Sequence, residues 1–105
     1  MVNAFPVTIR TEQISGGPNK IVYYPRVVRM QNTSLERMIN MAIVRQTQQL
    51  IHEQVGNMPS TVVEMLGLYE IKNNQRNVLS LSLSNYTYHY QAAHGMTYIK
   101  SLTFD

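Results

Sequence analysis

Residues 33–56, TSLERMINMAIVRQTQQLIHEQVG, carry the strongest structural signal of this chain of 105 residues. The first four residues have the pattern of a capping box, in which Thr33 and Glu36 satisfy free N–H groups at the start of a helix. Apolar residues then recur every three or four positions and make one stripe, which consists of Leu35, Met38, Ile39, Ala42, Ile43, Leu50 and Ile51. Gly56 suits a left-handed C-cap and Pro59 prevents continuation, so the pattern predicts one amphipathic helix of about 21 residues.

Two strand-like runs precede this helix. Residues 5–11 alternate between apolar and polar side chains, beginning with Phe5, and predict a first strand. The turn residues at 15–19 separate this run from the β-rich residues 21–30. Pro25 has no N–H to donate to a neighbouring strand, so the second strand is predicted to lie at an edge or to be interrupted.

The period of two returns after Pro59. Residues 61–71 predict a strand with a bulge or a close approach at Gly67, and the polar residues 72–77 predict a hairpin connection. In the next run, leucines at 79, 81 and 83 alternate with serines, and tyrosines then occupy positions 86, 88 and 90. Strict alternation places these tyrosines on the serine side, whereas a bulge near Asn85 returns them to the leucine side. A last strand follows the loop at 91–95.

The order of elements is therefore ββαβββ, and the predicted fold class is α+β. The apolar stripe of the helix must be covered, which favours an antiparallel sheet packed against the one long helix. The length is typical of one domain, and we expect residues 1–105 to form a single one. Hydrophobic residues make up 44% of the chain and charged residues 14%, which excludes a disordered tail.

Charge and end sequences limit the partners and the location. The net charge is +3, but the basic residues are single and spaced, which argues against binding of nucleic acid. No apolar run is long enough for a membrane span, and the start of the chain does not resemble a signal peptide. The C-terminus stops within a strand-like run that ends at Asp105, so we expect a truncated C-terminus.

Two parts of the chain resemble a known group of domains. Leu79–Tyr88, Ala93–Tyr98 and Ser101–Asp105 are similar to a pattern in extracytoplasmic bacterial domains of unknown function. These domains occur in lysozyme-sensing anti-sigma-V factors and before the catalytic domain of a peptidoglycan deacetylase. Tyr24-Pro25 and Ile39-Asn40 are similar to the first half of the same region, so the resemblance spans roughly residues 21–105.

The chain also departs from that pattern. The family has a Gly-Gly-Ala-His-Gly loop, where this chain has Gln91-Ala-Ala-His-Gly95, and the family continues beyond the Thr-Phe-Asp strand. The resemblance implies an envelope location and a role that faces a protein or a glycan. It supplies no catalytic residues, because the deacetylase chemistry lies in a separate domain. An edge strand left bare by the missing lobe favours a homodimer formed by pairing of edges or by exchange of strands.

The tyrosines are the main candidate for a binding surface. Tyrosine combines apolar area with a polar tip, which suits contacts with sugars and proteins. The predicted binding residues are Tyr86, Tyr88, Tyr90, His94 and Tyr98. The alternative is that some of these tyrosines pack beneath the helix or in a dimer seam.

Catalytic and metal sites find little support in the sequence. With no cysteine in the chain, His89 and His94 alone do not make a zinc site, because three or four converging ligands are needed. His94 is instead expected to bond main-chain groups at the corner before the last strand. The serines at 80, 82 and 84 lack a nucleophile elbow, so no hydrolase triad is predicted. Glu64 and Glu70 lie about 20 Å apart on a regular strand, too far for a glycosidase pair.

These observations favour a non-catalytic binding or sensing module of the cell envelope without a cofactor. Its partner is expected to be a lysozyme-type protein or peptidoglycan, as the resemblance implies. The alternative from another class is a structural homodimerisation domain without a ligand. A third possibility is an accessory region of a glycan deacetylase.

Overall fold

The computed structural model describes residues 6–56 and 61–105, and these ranges form five strands and one helix. The elements are β1 (Thr8–Ser15), β2 (Lys20–Val28), α1 (Thr33–Val55), β3 (Val62–Gln75), β4 (Val78–His89) and β5 (Met96–Phe104). The predicted α+β class and the order ββαβββ are confirmed. The predicted strand start at Phe5 and the helix break at Pro59 lie outside the described residues.

The five strands form one sheet in the order β1-β2-β3-β4-β5. Neighbouring strands are antiparallel except for β2 and β3, which are parallel from Lys20 with Met65 to Val22 with Gly67. This exception to the predicted antiparallel sheet arises because α1 connects β2 to β3. A connection of that length returns the chain to the end of the sheet where β2 began.

β2 is not an edge strand, and it runs unbroken between β1 and β3. The prediction from Pro25 is therefore wrong for the strand as a whole, but at Pro25 itself β2 pairs with β1 alone. Pro25 is buried opposite Thr11 of β1. It is tolerated in an interior strand because the pairing with β3 ends at Val22, before Pro25 is reached.

Where β3 no longer pairs with β2, the side chain of Asn40 of α1 bonds to β2 instead. Its Oδ1 accepts a hydrogen bond from the N–H of Val27 at 2.9 Å, and its Nδ2 donates to the carbonyl oxygen of Val27 at 3.0 Å. Asn74 of β3 pairs in the same way with Val7, at 2.8 and 2.9 Å. Two asparagine side chains thus satisfy main-chain groups that a neighbouring strand would otherwise satisfy.

The helix begins one residue earlier than the capping box predicts. Asn32 is the N-cap, and its Oδ1 accepts from the N–H of Leu35 at 3.0 Å. Glu36 reaches back beyond the cap and accepts from the N–H of Met30 at 2.9 Å. The predicted C-cap position is confirmed, because the N–H of Gly56 donates to the carbonyl oxygen of His52. Its φ of 63° is positive as expected, but its ψ of −144° lies outside the predicted left-handed helical region.

The core lies between α1 and the leucine side of β4. Its most buried members are Val27, Ile39, Ile43, Leu50, Leu79, Leu81 and Leu83. Each of these side chains contributes about 1.5–3 kcal/mol by leaving water. Met38 belongs to the predicted stripe but is exposed, because the buried side of α1 turns towards Ile39 and Ile43.

The last turn of α1 joins the sheet through a buried polar side chain. Oε1 of Gln54 accepts hydrogen bonds from Nδ2 of Asn85 and, at 3.1 Å, from Oγ1 of Thr87. Nε2 of Gln54 donates to the carbonyl oxygen of Met96 at 3.0 Å. One side chain of α1 therefore contacts both β4 and β5.

The two alternatives for Gly67 are resolved in favour of a close approach. A Cβ atom at Gly67 would lie 2.5 Å from Cγ1 of Val22, so only glycine fits between β2 and β4. The register shifts of β3 lie elsewhere, at Val63 and Lys72.

The hairpin between β3 and β4 is shorter than predicted. β3 continues to Gln75, so the predicted connection at 72–77 shortens to Arg76 and Asn77, which have φ angles of 54° and 64°. Both left-handed residues are typical of a type I′ hairpin turn.

Candidate binding site

β4 keeps strict alternation along its length. It pairs without a register shift with β5, from Leu79 opposite Phe104 to Thr87 opposite Met96. The leucines face α1, so the serines and then Tyr86 and Tyr88 lie on the other face of the sheet, which we call the open face. Of the two alternatives at Asn85, the structure therefore shows the regular strand rather than the bulge.

The ring of Tyr86 lies directly against Gly95 of the loop before β5. A Cβ atom at Gly95 would lie 2.3 Å from ring atoms of Tyr86, so the close contact needs a glycine. The loop thus covers part of the ring, and Tyr86 is half-buried. The sequence gives one signal for this contact, which is the glycine that ends the loop after the tyrosines.

Tyr88 has a second contact with the same loop. Its hydroxyl donates a hydrogen bond to the carbonyl oxygen of Ala92 at 2.8 Å. The N–H of Ala92 in turn donates to the carbonyl oxygen of His89 at 3.0 Å. Tyr86 and Tyr88 therefore hold the loop at 90–95, and their rings are only partly available to a ligand.

Tyr90 and His94 are exposed on this loop. The side chain of Tyr90 is 67% exposed, and its N–H donates to the carbonyl oxygen of Thr61 at 2.7 Å. Nδ1 of His94 lies 3.1 Å from the carbonyl oxygen of Gly95, which agrees with the expected main-chain bond. These two residues are the freely accessible members of the predicted set.

Tyr98 lies on the other face of the sheet from Tyr86. It is paired with Asn85 on β4 and packs against the main core beside Leu102. The five predicted residues therefore do not form one surface, because Tyr98 occupies the face that α1 covers. The exposed part of the site consists of Tyr90 and His94. Tyr86 and Tyr88 are half-buried and contact the same loop.

The open face also has an apolar patch that was not predicted from the sequence. Leu66 is opposite Tyr86, and Ser84 lies between Leu68 on β3 and Ile99 on β5. The side chains of Leu66, Leu68 and Ile99 are 40%, 49% and 64% exposed. We call this the open-face patch, and it consists of Leu66, Leu68, Ser84, Tyr86 and Ile99. The alternation of Leu66 and Leu68 with buried neighbours was the available signal.

Carboxylates border the patch on β3. Glu64 is opposite Tyr88, and Glu70 is opposite Ser82. Oε2 of Glu70 lies 3.1 Å from Nζ of Lys72, an exposed ion pair that contributes little stability. The patch therefore has an apolar centre, with the carboxylate of Glu64 towards one end of β3 and the Glu70–Lys72 ion pair towards the other.

The candidate catalytic residues are not brought together. His89 points away from the serines, with Nε2 2.7 Å from the carbonyl oxygen of Gln54 and Nδ1 2.7 Å from Oγ1 of Thr61. Because a carbonyl only accepts, Nε2 carries the proton. Oγ of Ser80 lies 3.3 Å from Oγ1 of Thr103 on the open face. Among residues 6–56 and 61–105, no three His, Asp or Glu side chains are placed to hold a metal ion.

α1, the helix of the described residues, lacks the apolar length that a membrane crossing requires.

No family model matches the chain, and no curated protein matches it. Among solved structures, the chain is similar to the crystal structure of a member of the DUF3298 family from Bacteroides fragilis. The TM-score is 0.62, at 10% sequence identity.

This similarity covers 97% of the chain but 57% of the Bacteroides fragilis protein, so the chain spans little more than half of that structure. At such low identity the likeness shows the fold alone. A neighbour in a family of unknown function is consistent with the resemblance to a domain of unknown function.

Proposed function

We propose that the chain is a non-catalytic binding module of the cell envelope, whose partner is a protein that contacts the open-face patch. The observation that carries this proposal is the exposure of Leu66, Leu68 and Ile99 on a face that no described helix covers. Contiguous apolar side chains with a polar border mark sites of protein contact. The loop at Tyr90 and His94 extends this surface at one end.

The details of the tyrosines favour a protein over a cell-wall glycan. Sugars stack on free aromatic faces, but part of the Tyr86 ring is covered by Gly95, and the Tyr88 hydroxyl is used by Ala92. Exposed leucine and isoleucine side chains offer apolar area and no hydrogen-bonding groups. Peptidoglycan is therefore the weaker of the two expected partners.

A lysozyme-type protein is the partner that we propose to test first. The idea comes from the resemblance to the lysozyme-sensing domains, and the charges of the open face support it. Glu64 borders the patch, and a carboxylate at the rim of an interface favours a basic partner by steering it into place, whereas Glu70 is paired with Lys72. The envelope location is likewise proposed from the resemblance.

The test is a calorimetric titration of the domain with a c-type lysozyme and, separately, with soluble peptidoglycan fragments. We expect heat with lysozyme, and we expect the affinity to fall in Leu68→Ser and Ile99→Ser. Met96→Ser is the matched control, because Met96 is 55% exposed and pairs with Thr87 on the side of β4 that faces α1. Binding of peptidoglycan alone, or equal affinity in all three variants, would contradict the proposal.

A second candidate is a homodimerisation domain. The observation in its favour is that β5 is the last strand of the sheet, so its outer edge is available to a second copy. Sedimentation of the domain over a range of concentrations separates the two candidates. A dimer that persists at low concentration, with Ile99 and Tyr90 protected from solvent, supports the homodimer, and a monomer supports the binding module.

A further inference from the structure

A groove of about 710 Å³ lies between α1 and β2, on the helix side of the sheet. We call it the Arg groove. Arg26 of β2 lies on one side, and the other side is formed by a row of α1 residues that includes Arg37, Met41 and Arg45. The open-face patch lies on the other side of the sheet, so the two surfaces are separate.

The three arginines of the groove have no carboxylate partner within the described ranges. The ion pairs found there are Arg10 with Glu12 and Lys72 with Glu70. Glu36 is the one carboxylate that lines the groove, and its Oε1 accepts a hydrogen bond from the N–H of Met30. Arg26, Arg37 and Arg45 are all exposed, so the groove has three guanidinium groups that are free to bind an anion.

The groove also has apolar area, and one of its lining residues is held in place by hydrogen bonds. Met41 lines the groove and is 54% exposed on α1. A four-residue spacing places Arg37, Met41 and Arg45 on one side of the helix. The Cα atoms of the two arginines are about 12 Å apart along the helix axis. Asn40 lines the groove and is held by its two bonds to Val27, which fixes α1 against β2.

We infer that the Arg groove binds an acidic peptide segment in which an apolar side chain lies between two carboxylates. In an extended peptide, residues four apart lie about 13 Å from each other and point to the same side. Their carboxylates can therefore reach Arg37 and Arg45 while the residue between them contacts Met41. Guanidinium and carboxylate groups form the strong, geometrically matched pairs that such recognition needs.

The groove fits a peptide better than a nucleic acid. A phosphate chain would satisfy the arginines but would leave the exposed Met41 against a charged backbone. Methionine is suited to apolar side chains of varied shape, because it is flexible and polarisable. The combination of charge and apolar area is thus complementary to an acidic, amphipathic segment.

The test uses a fluorescein-labelled synthetic peptide built from the repeat Glu-Ser-Leu-Ser-Glu, with binding read by fluorescence anisotropy. We expect the wild-type domain to bind this peptide with an affinity that falls as salt is added. The double variant R37Q/R45Q should lose about tenfold or more, because two charge-assisted contacts disappear. The double variant R76Q/K100Q removes the same charge from the β3–β4 turn and from β5, neither of which lines the groove, and should bind like wild type.

Two further comparisons separate specific binding from general charge attraction. Met41→Ser should weaken binding, and Met96→Ser, at equal exposure on β5, should not. A peptide with Gln in place of Glu should not bind. The inference is overturned if the wild-type domain does not bind the acidic peptide or if R37Q/R45Q and R76Q/K100Q bind equally. It is also overturned if a DNA oligonucleotide displaces the peptide more effectively than unlabelled peptide does.

Discussion

The carboxamide of Asn40 and the peptide groups of Val27 form a closed pair of hydrogen bonds, 2.9 and 3.0 Å long. Both residues are buried. The pair lies where β2 and β3 have separated, so a helix side chain completes the bonding of a strand. This contact fixes the position of α1 along β2, and with it the shape of the Arg groove.

Replacement of Asn40 by leucine is expected to destabilise the domain by about 2–4 kcal/mol. The substitution leaves the N–H and the carbonyl oxygen of Val27 without partners in a buried position, and each such group costs about 1–3 kcal/mol. Urea denaturation gives the free energy of unfolding. Gln48→Leu, at an exposed position of α1, is the control and should change stability by less than about 0.5 kcal/mol. Equal stability of the two variants would show that Val27 does not depend on Asn40.

Gly95→Ala is expected to destabilise the domain by about 1–3 kcal/mol, because the new methyl group would overlap the ring of Tyr86. Gly16→Ala is the matched control, since the nearest atom to its Cβ would be Cβ of Lys20 at 3.7 Å. A double-mutant cycle with Tyr86→Ala tests the cause. The cost of Gly95→Ala should largely disappear when the ring is absent, and full additivity would contradict the contact.

Gln54→Leu is expected to cost about 2–4 kcal/mol. The change removes the acceptor for Asn85 and Thr87 and the donor to Met96, and it leaves these groups buried and unpaired. Gln49→Leu, one turn earlier on the exposed side of α1, is the control. Hydrogen exchange should show faster opening of β5 near Met96 in the Gln54 variant alone. Unchanged exchange there would mean that Gln54 does not hold β5.

The parts of the fold that follow from local periodicity could be predicted. The spacing of Ile39, Ile43 and Leu50 predicted the helix, and the alternation of leucine and serine predicted the first half of β4. Whether the strand stays regular past Asn85 could not be decided, because that depends on its pairing with β5. The C-cap at Gly56 could also be predicted, because few residues adopt its conformation. The N-cap could not be assigned exactly, since Asn32 is as good a capping residue as Thr33.

Features that depend on distant partners could not be predicted. Pro25 indicates a missing neighbour on one side of β2, but it does not show that β3 pairs with the start of the strand and leaves after Val22. Tyr98 looks like a companion of Tyr86 in sequence, but the pairing of β4 with β5 places Asn85 beside it. The open-face patch combines Leu68 and Ile99, which are separated by the whole of β4. Only the sheet order brings them to one surface.

The tyrosines provide the last prediction, because the two faces of the sheet give them different roles. Tyr98→Ala should lower stability by about 2–3 kcal/mol, since the ring packs against the core on the face that α1 covers. Tyr90→Ala should change stability by less than about 0.5 kcal/mol, because its side chain is 67% exposed. In the lysozyme titration, the proposed surface requires the stable Tyr90→Ala variant to bind more weakly than wild type. A loss of stability in Tyr90→Ala, together with a stable Tyr98→Ala, would mean that β4 and β5 are paired in another register.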